Sequence, residues 1–225
     1  MTMDILKKLK KTILSGAIEK GNSEIVQLLL IEKENKNINF NQKIHVFTYR
    51  DVTLLYLAVK NGNPKIVQLL LDIPDVDVNL KSSRYREEVT PLYEAIESNN
   101  IDACRLLIEN KNVDVNLKSI QFYEDMDECT LEYYREITPL YFAVQSNKYE
   151  FVKLLIENID VNIKASIKID QYLLDTGERY DPQYEEESPL YNAVANERTK
   201  IAELLLSHEK IDVNINRKFI NLSKN

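Results

Sequence analysis

The chain has 225 residues, with 29 basic against 36 acidic side chains and a net charge of −7. That balance excludes a duplex nucleic-acid partner, which needs basic stripes that displace counterions from phosphates. Four glycines and six prolines leave little flexible linker, and no apolar run approaches the roughly 18 residues of a membrane span.

The chain opens with Ile5, Leu6 and Leu9 among Lys7, Lys8, Lys10 and Lys11, an amphipathic lead-in to a helix running through Ala17. With no proline at position 13, that helix extends backward past Thr12. The lysines are not followed by the apolar stretch and small-residue cleavage site of a signal peptide, so the protein is expected to be cytoplasmic. The basic face could serve a membrane or a partner, but a solvated capping face is the preferred reading. Thr12-Ile13-Leu14-Ser15-Gly16-Ala17-Ile18 is then the first, degraded member of a series. Thr53-Leu54-Leu55-Tyr56-Leu57-Ala58-Val59, Thr90-Pro91-Leu92-Tyr93-Glu94-Ala95-Ile96, Thr138-Pro139-Leu140-Tyr141-Phe142-Ala143-Val144 and Ser188-Pro189-Leu190-Tyr191-Asn192-Ala193-Val194 follow.

Each heptad begins a helix: the hydroxyl accepts an orphan backbone N–H, and proline fills the first helical position with φ already set. The alanine lets a neighbouring helix approach, and the flanking Leu and Val or Ile form the face to be buried. Turns follow at Gly21, Gly62, Asn99, Asn147 and Glu197, where glycine and asparagine suit a left-handed residue. Second helices carry Leu-Leu runs, as in Ile66-Val67-Gln68-Leu69-Leu70-Leu71 and Phe151-Val152-Lys153-Leu154-Leu155-Ile156. Each unit closes on a block such as Val76-Asp77-Val78-Asn79 or Val113-Asp114-Val115-Asn116, with a weak copy at Asn37-Ile38-Asn39-Phe40. Helices this short are unstable alone in water, so stability comes from neighbours. Leu106→Ala or Leu154→Ala is expected to cost about 2–5 kcal/mol if these leucines are buried.

The order Thr-Pro-Leu, aromatic, Ala, turn, Val-x-x-Leu-Leu, Asp-Val-Asn resembles the ankyrin repeat over nearly the whole chain. The resemblance implies an all-α repeat fold, an ankyrin-type α-solenoid of helix-turn-helix units with projecting β-hairpin loops. It forms a single domain over 1–225, with units at about 4–40, 52–80, 89–117, 137–163 and 187–215. Two departures stand out. Tyr56, Tyr93, Tyr141 and Tyr191 occupy the place of the family's usual His. The alanines Ala17, Ala58, Ala95, Ala143 and Ala193 are 41, 37, 48 and 50 residues apart, against about 33 in the family.

The extra length lies in the fingers between units, at residues 40–52, 80–89, 117–137 and 163–187. Ile44 to Tyr49 and Thr130 to Tyr133 alternate as strands do, and Asp175-Thr176-Gly177-Glu178 suits a hairpin turn. The last two fingers together carry a net charge of −8, and the fingers hold eight of the thirteen tyrosines. Interleaved acid and tyrosine suits recognition of a basic surface; solvated loops whose tyrosines pack the hairpins together are the plainer alternative. The chain closes on Asn216 to Asn225, which reads as the start of a further finger.

Chemistry is not expected. Cys104 stands in the slot of Val26, Val67, Val152 and Ala202, a buried hydrophobe; Cys129 lies in an insertion, and neither has a histidine base. His45 and His208 lack partners at metal spacing, and residues 124–128 lack the glycine and spaced oxygens of a calcium loop. No cofactor, metal or catalytic residue is therefore assigned. The expected function is a non-catalytic, monomeric scaffold that binds an unknown protein, one with a basic surface, through its fingers and concave helix face, with no nucleic acid and no membrane. The expected contact residues are Tyr85, Glu97, Tyr123, Glu124, Asp125, Tyr133, Gln145, Ser146, Tyr172, Tyr180 and Tyr184. Arg86 and Arg135 are expected to pair with neighbouring acids. The alternative is a substrate-receptor or accessory segment of a larger enzyme or ubiquitin-ligase chain.

Overall fold

The computed structural model describes residues 2–31, 38–45, 51–85, 87–124, 131–158, 161–162, 168–173, 183–211 and 218–221. In chain order the elements are α1 (Thr2–Glu19), α2 (Ser23–Ile31), β1 (Ile44–His45), β2 (Asp51–Val52), α3 (Leu54–Asn61), α4 (Pro64–Leu71), β3 (Ser82–Arg84), β4 (Glu87–Val89), α5 (Pro91–Glu97) and α6 (Ile101–Glu109). There follow β5 (Ser119–Glu124), β6 (Leu131–Ile137), α7 (Pro139–Gln145), α8 (Tyr149–Ile156), β7 (Lys168–Leu173), β8 (Gln183–Glu186), α9 (Pro189–Ala195), α10 (Thr199–Leu206) and β9 (Lys218–Asn221).

The caps form as the heptads require. The side chains of Thr53, Thr90, Thr138 and Ser188 accept the amides of Tyr56, Tyr93, Tyr141 and Tyr191 at 3.0, 3.1, 3.3 and 3.1 Å. Pro91, Pro139 and Pro189 open the helices that follow. All five turn residues are left-handed, with φ of 67° at Gly21, 89° at Gly62, 60° at Asn99, 55° at Asn147 and 56° at Glu197. Glu197 therefore holds a conformation that costs a side chain with a Cβ about 1–2 kcal/mol.

Two compact units result, one holding Met1–Tyr85 with Thr90–Val113, the other Arg86–Val89 with Asp114–Asn225. In the first, α1 packs on α2 and α3, α3 on α4 and α5, and α4 on α2 and α6. Asparagines tie these pairs together. The Nδ2 of Asn63 donates to Gly21 O at 3.0 Å while its Oδ1 caps α4, and Asn100 repeats the arrangement with Val59 O at 3.1 Å. In the second unit α7 packs on α8 and α9, and α10 on both α8 and α9.

Four expectations need correcting. In α6 and α8 the second member of the leucine doublet is the core residue: Leu107 and Leu155 are fully buried, whereas Leu106 and Leu154 are half-buried. Helical phase puts Leu107 over Cys104 and Leu155 over Val152, three residues back, so the truncation cost belongs there. The first closing block is shifted by one residue. Asn39 Oδ1 accepts the amide of Asn41 just as Asp77 accepts that of Asn79, so Ile38 to Asn41 is the true copy. Lys11 leaves the solvated face; it is buried, and its Nζ donates to Gln42 O at 2.6 Å. Finally, the exposed surface of the first helix pair is not wholly polar, because Ile13, Ile25 and Leu28 are 47%, 43% and 67% exposed.

Candidate protein-binding surface

An isolated two-stranded hairpin is marginally stable and leaves two open edges. The long fingers avoid this by pairing side by side. In the second unit β4, β5, β6 and β7 form successive antiparallel ladders, with Glu87 opposite Gln121, Tyr123 opposite Tyr133 and Tyr133 opposite Gln171. β8 pairs with β9 through Glu186 opposite Lys218 and Tyr184 opposite Ile220. The fingers are thus strands of shared sheets, and the segment after Asn216 supplies one of those strands, β9.

Directly opposed residues of an antiparallel ladder share a face. One face of the β4–β7 sheet carries Phe122, Tyr134 and Asp170 in one row and Glu124, Glu132 and Tyr172 in the next. A third row carries Ile120, Glu136 and Lys168. Phe122 is 43% exposed, and its ring stands 6.1 Å from that of Tyr134 at an interplanar angle of 49°. Lys118 Nζ reaches Glu136 at 3.1 Å. The opposite face carries Gln121, Arg135 and Ile169 in one row and Tyr123, Tyr133 and Gln171 in another. The tyrosines singled out by sequence therefore divide, with Tyr172 on the first face and Tyr123 and Tyr133 on the second.

The other expected contact residues occupy varied settings. Tyr85 follows β3, is 73% exposed and has a left-handed φ of 46°. Tyr184 lies within β8. Gln145 ends α7, and Ser146 caps it, its amide donating to Phe142 O at 2.9 Å. Glu97 is ion-paired with Arg84. Asp125 and Tyr180 lie outside the described residues, as do Arg86, Cys129 and the expected turn at 175–178.

A buried polar junction underlies Glu97. Glu94 is 1% exposed, and its two carboxylate oxygens take Lys60 Nζ at 3.5 Å and Arg84 Nη1 at 3.2 Å. Burial raises the pKa of Glu94, and Lys60 and Arg84 oppose that rise. The Tyr56 hydroxyl faces the same carboxylate and guanidinium, and burial also raises its pKa. The second unit repeats the position with an amide. Asn192 Nδ2 donates to the Tyr141 hydroxyl at 3.1 Å and to Glu187 Oε1 at 2.7 Å, and Arg198 donates to Asn192 Oδ1. Burial raises the Tyr141 pKa, with Glu187 adding to the shift. Cys104 is buried, its thiol pushed up to about 12, which suits packing and not nucleophilic attack.

The family model described as ankyrin repeats (3 copies) matches residues 14–119, 55–165 and 125–217, most of the chain. The chain belongs to the ankyrin-repeat family. Its structure is similar to the crystal structure of the ankyrin repeat domain of Bcl-3, described as a unique member of the IkappaB protein family. That similarity has a TM-score of 0.55 at 18% identity, and it covers 91% of this chain and 88% of that one. At that identity it is a likeness of fold. No sequence among curated proteins matches this chain. Tyr56 and Tyr141 each reach the residue after the next repeat's own tyrosine, Glu94 and Asn192. Sequence reading missed Arg84, Glu94 and Asn192. The available signal was a polar residue at a place where sister ankyrin repeats have Leu57 and Phe142.

Proposed function

We propose that the chain is a non-catalytic ankyrin scaffold that binds a basic segment of a partner protein across the β4–β7 sheet. Ankyrin repeats generally mediate protein–protein interactions, and that broader role underlies the proposal. The observation that carries it is the Phe122–Tyr134 ring pair, half open to solvent, in a ladder rich in carboxylates. Glu124 and Glu132 stand at paired register positions in that ladder. A Lys- or Arg-rich segment suits such acidic positions, and the exposed Phe122 ring supplies the apolar anchor that binding hot spots need.

The test is calorimetric titration of the intact chain with Lys-rich and Glu-rich peptides of equal length. It is run beside Phe122→Ala and beside a chain whose segments 118–136 and 164–186 are shortened to turns. Preference for the basic peptide, weakened about tenfold by Phe122→Ala and lost on shortening, is the expected result. Equal binding of both peptides, or full binding by the shortened chain, would remove the fingers from the mechanism.

A further inference from the structure

The hexapeptide Ile-Val-Gln-Leu-Leu-Leu occurs twice, as residues 25–30 in α2 and 66–71 in α4. In α4 its Ile66 is fully buried and its Leu69 half-buried, whereas in α2 Ile25 is 43% and Leu28 67% exposed. The first helices agree: Ile13 is 47% exposed, and Leu54, at the same repeat position, is 1% exposed. Identical side chains thus meet different surroundings. For α3 and α4 the cover is a preceding helix pair, since α1 packs on α3 and α2 on α4. Among the described residues no helix pair covers α1 and α2 on that side.

The side of a pair that supplies such cover carries its own apolar marker. Val59, Ile96 and Val144 stand at one repeat position and are all fully buried, but Val194, at that position in α9, is 60% exposed. In the second helices Ile156 is 8% exposed, and its counterpart Leu206 is 50% exposed. Among the described residues, one chain therefore carries both halves of a repeat-to-repeat contact, each unmatched: the face that takes a preceding pair, on α1–α2, and the face that takes a following one, on α9–α10. A helix-pair face left to solvent is expected to be polar, yet among the described residues these two expose Ile13, Ile25 and Leu28 on one and Val194 and Leu206 on the other.

We infer that the α1–α2 face of one molecule docks on the α9–α10 face of a second copy, extending the repeat stack head to tail between chains. Ile13, Ile25 and Leu28 form one side of the contact, and Val194 and Leu206 the other. Such an interface is heterologous, so each added molecule presents a fresh face and association continues with concentration unless a ring closes.

Sedimentation velocity of the full chain over a concentration series tests this, beside Leu28→Glu and Val194→Glu. Both positions are exposed, so the fold should persist, and far-UV circular dichroism with thermal melts checks that it does. The wild-type mass should rise from 26.3 kDa toward twice that value and beyond, and each single variant should remain monomeric over the same range. An equimolar mixture of the two variants should form a dimer and stop there. Leu28→Glu keeps an intact α9–α10 face and Val194→Glu an intact α1–α2 face, so the mixture has one good junction. A wild-type mass fixed at 26.3 kDa up to the solubility limit, or a mixture that stays monomeric, would overturn the inference. So would wild-type binding to anionic phospholipid vesicles without self-association, lost in Leu28→Glu, which would assign the apolar face to a membrane surface.

Discussion

The two units solve one problem with different chemistry. In the first, a buried tyrosine hydroxyl meets a carboxylate held by Lys60 and Arg84; in the second, the equivalent hydroxyl meets the amide of Asn192. Both Glu94 and Asn192 follow the tyrosine of their own heptad and receive the tyrosine of the preceding one. The charged version must bring a carboxylate and a guanidinium out of water and recovers the cost only through mutual pairing, whereas the amide satisfies the hydroxyl, Glu187 and Arg198 without burying a net charge of its own. Where this position is polar, the repeat thus accepts either a carboxylate or an amide beside the preceding tyrosine hydroxyl.

Breaking the charged junction should have the largest effect. Glu94→Ala leaves Arg84 and Lys60 beside a buried hydroxyl without their shared carboxylate, and is expected to lower unfolding stability in urea by about 3 kcal/mol. Glu97 still holds Arg84, which keeps the loss at the lower end of the range for buried pairs. Asn192→Ala removes an amide and no charge, and should cost about 2 kcal/mol in the same measurement. If Asn192→Ala proved the more damaging of the two, the contrast between the junctions would be wrong.

Acid titration sharpens the comparison. Burial holds the Glu94 pKa above the ordinary carboxylate range, with Glu97 on its own helix adding to the rise and Lys60 and Arg84 opposing it. Between the ordinary value and the raised one, the folded chain keeps a proton that the unfolded chain has released. Stability in that window must therefore fall as pH rises. Glu94→Gln removes this contribution, so the wild-type advantage over the variant should shrink as pH climbs through the window. A difference that does not vary with pH would show that the carboxyl titrates alike in both states.

The smallest effect concerns the turns, where the units also differ. Gly21 and Gly62 serve the first unit, while Glu197 holds φ of 56° in the second. Glu197→Gly should raise the thermal midpoint, corresponding to about 0.5–1 kcal/mol, because glycine relieves a left-handed strain larger than the entropy it adds to the unfolded chain. A lowered midpoint would mean that the Glu197 side chain contributes more than its backbone costs.

Much of the helical framework was legible in the chain. Thr90-Pro91, Thr138-Pro139 and Ser188-Pro189 are local signals, each complete within four residues, and they cap the helices as expected. The left-handed turns at Gly21, Gly62, Asn99 and Asn147 were equally local, whereas the Glu197 residue type gives no such signal. The candidate surface was half legible: the tyrosines and acids of the fingers stood out, but their division between two sheet faces depends on strand register. Tyr123 and Tyr133 stand at paired register positions on one face and Tyr172 belongs to the other because of pairings between β5, β6 and β7, segments far apart in sequence. Glu97 looked free as an exposed acid beside a turn, yet Arg84 holds it.

By itself the sequence determined the repeat, its caps, its turns and the family, because each unit restates the same short-range physics in the same order. Tertiary structure alone decided which leucine of a doublet is buried, which residues the Tyr56 and Tyr141 hydroxyls face and which strands share a sheet. It also decided that one hexapeptide is buried in α4 and open in α2. The reason is the same throughout: a repeat's composition is written within its own residues, whereas its environment is supplied by whatever the neighbouring repeat presents.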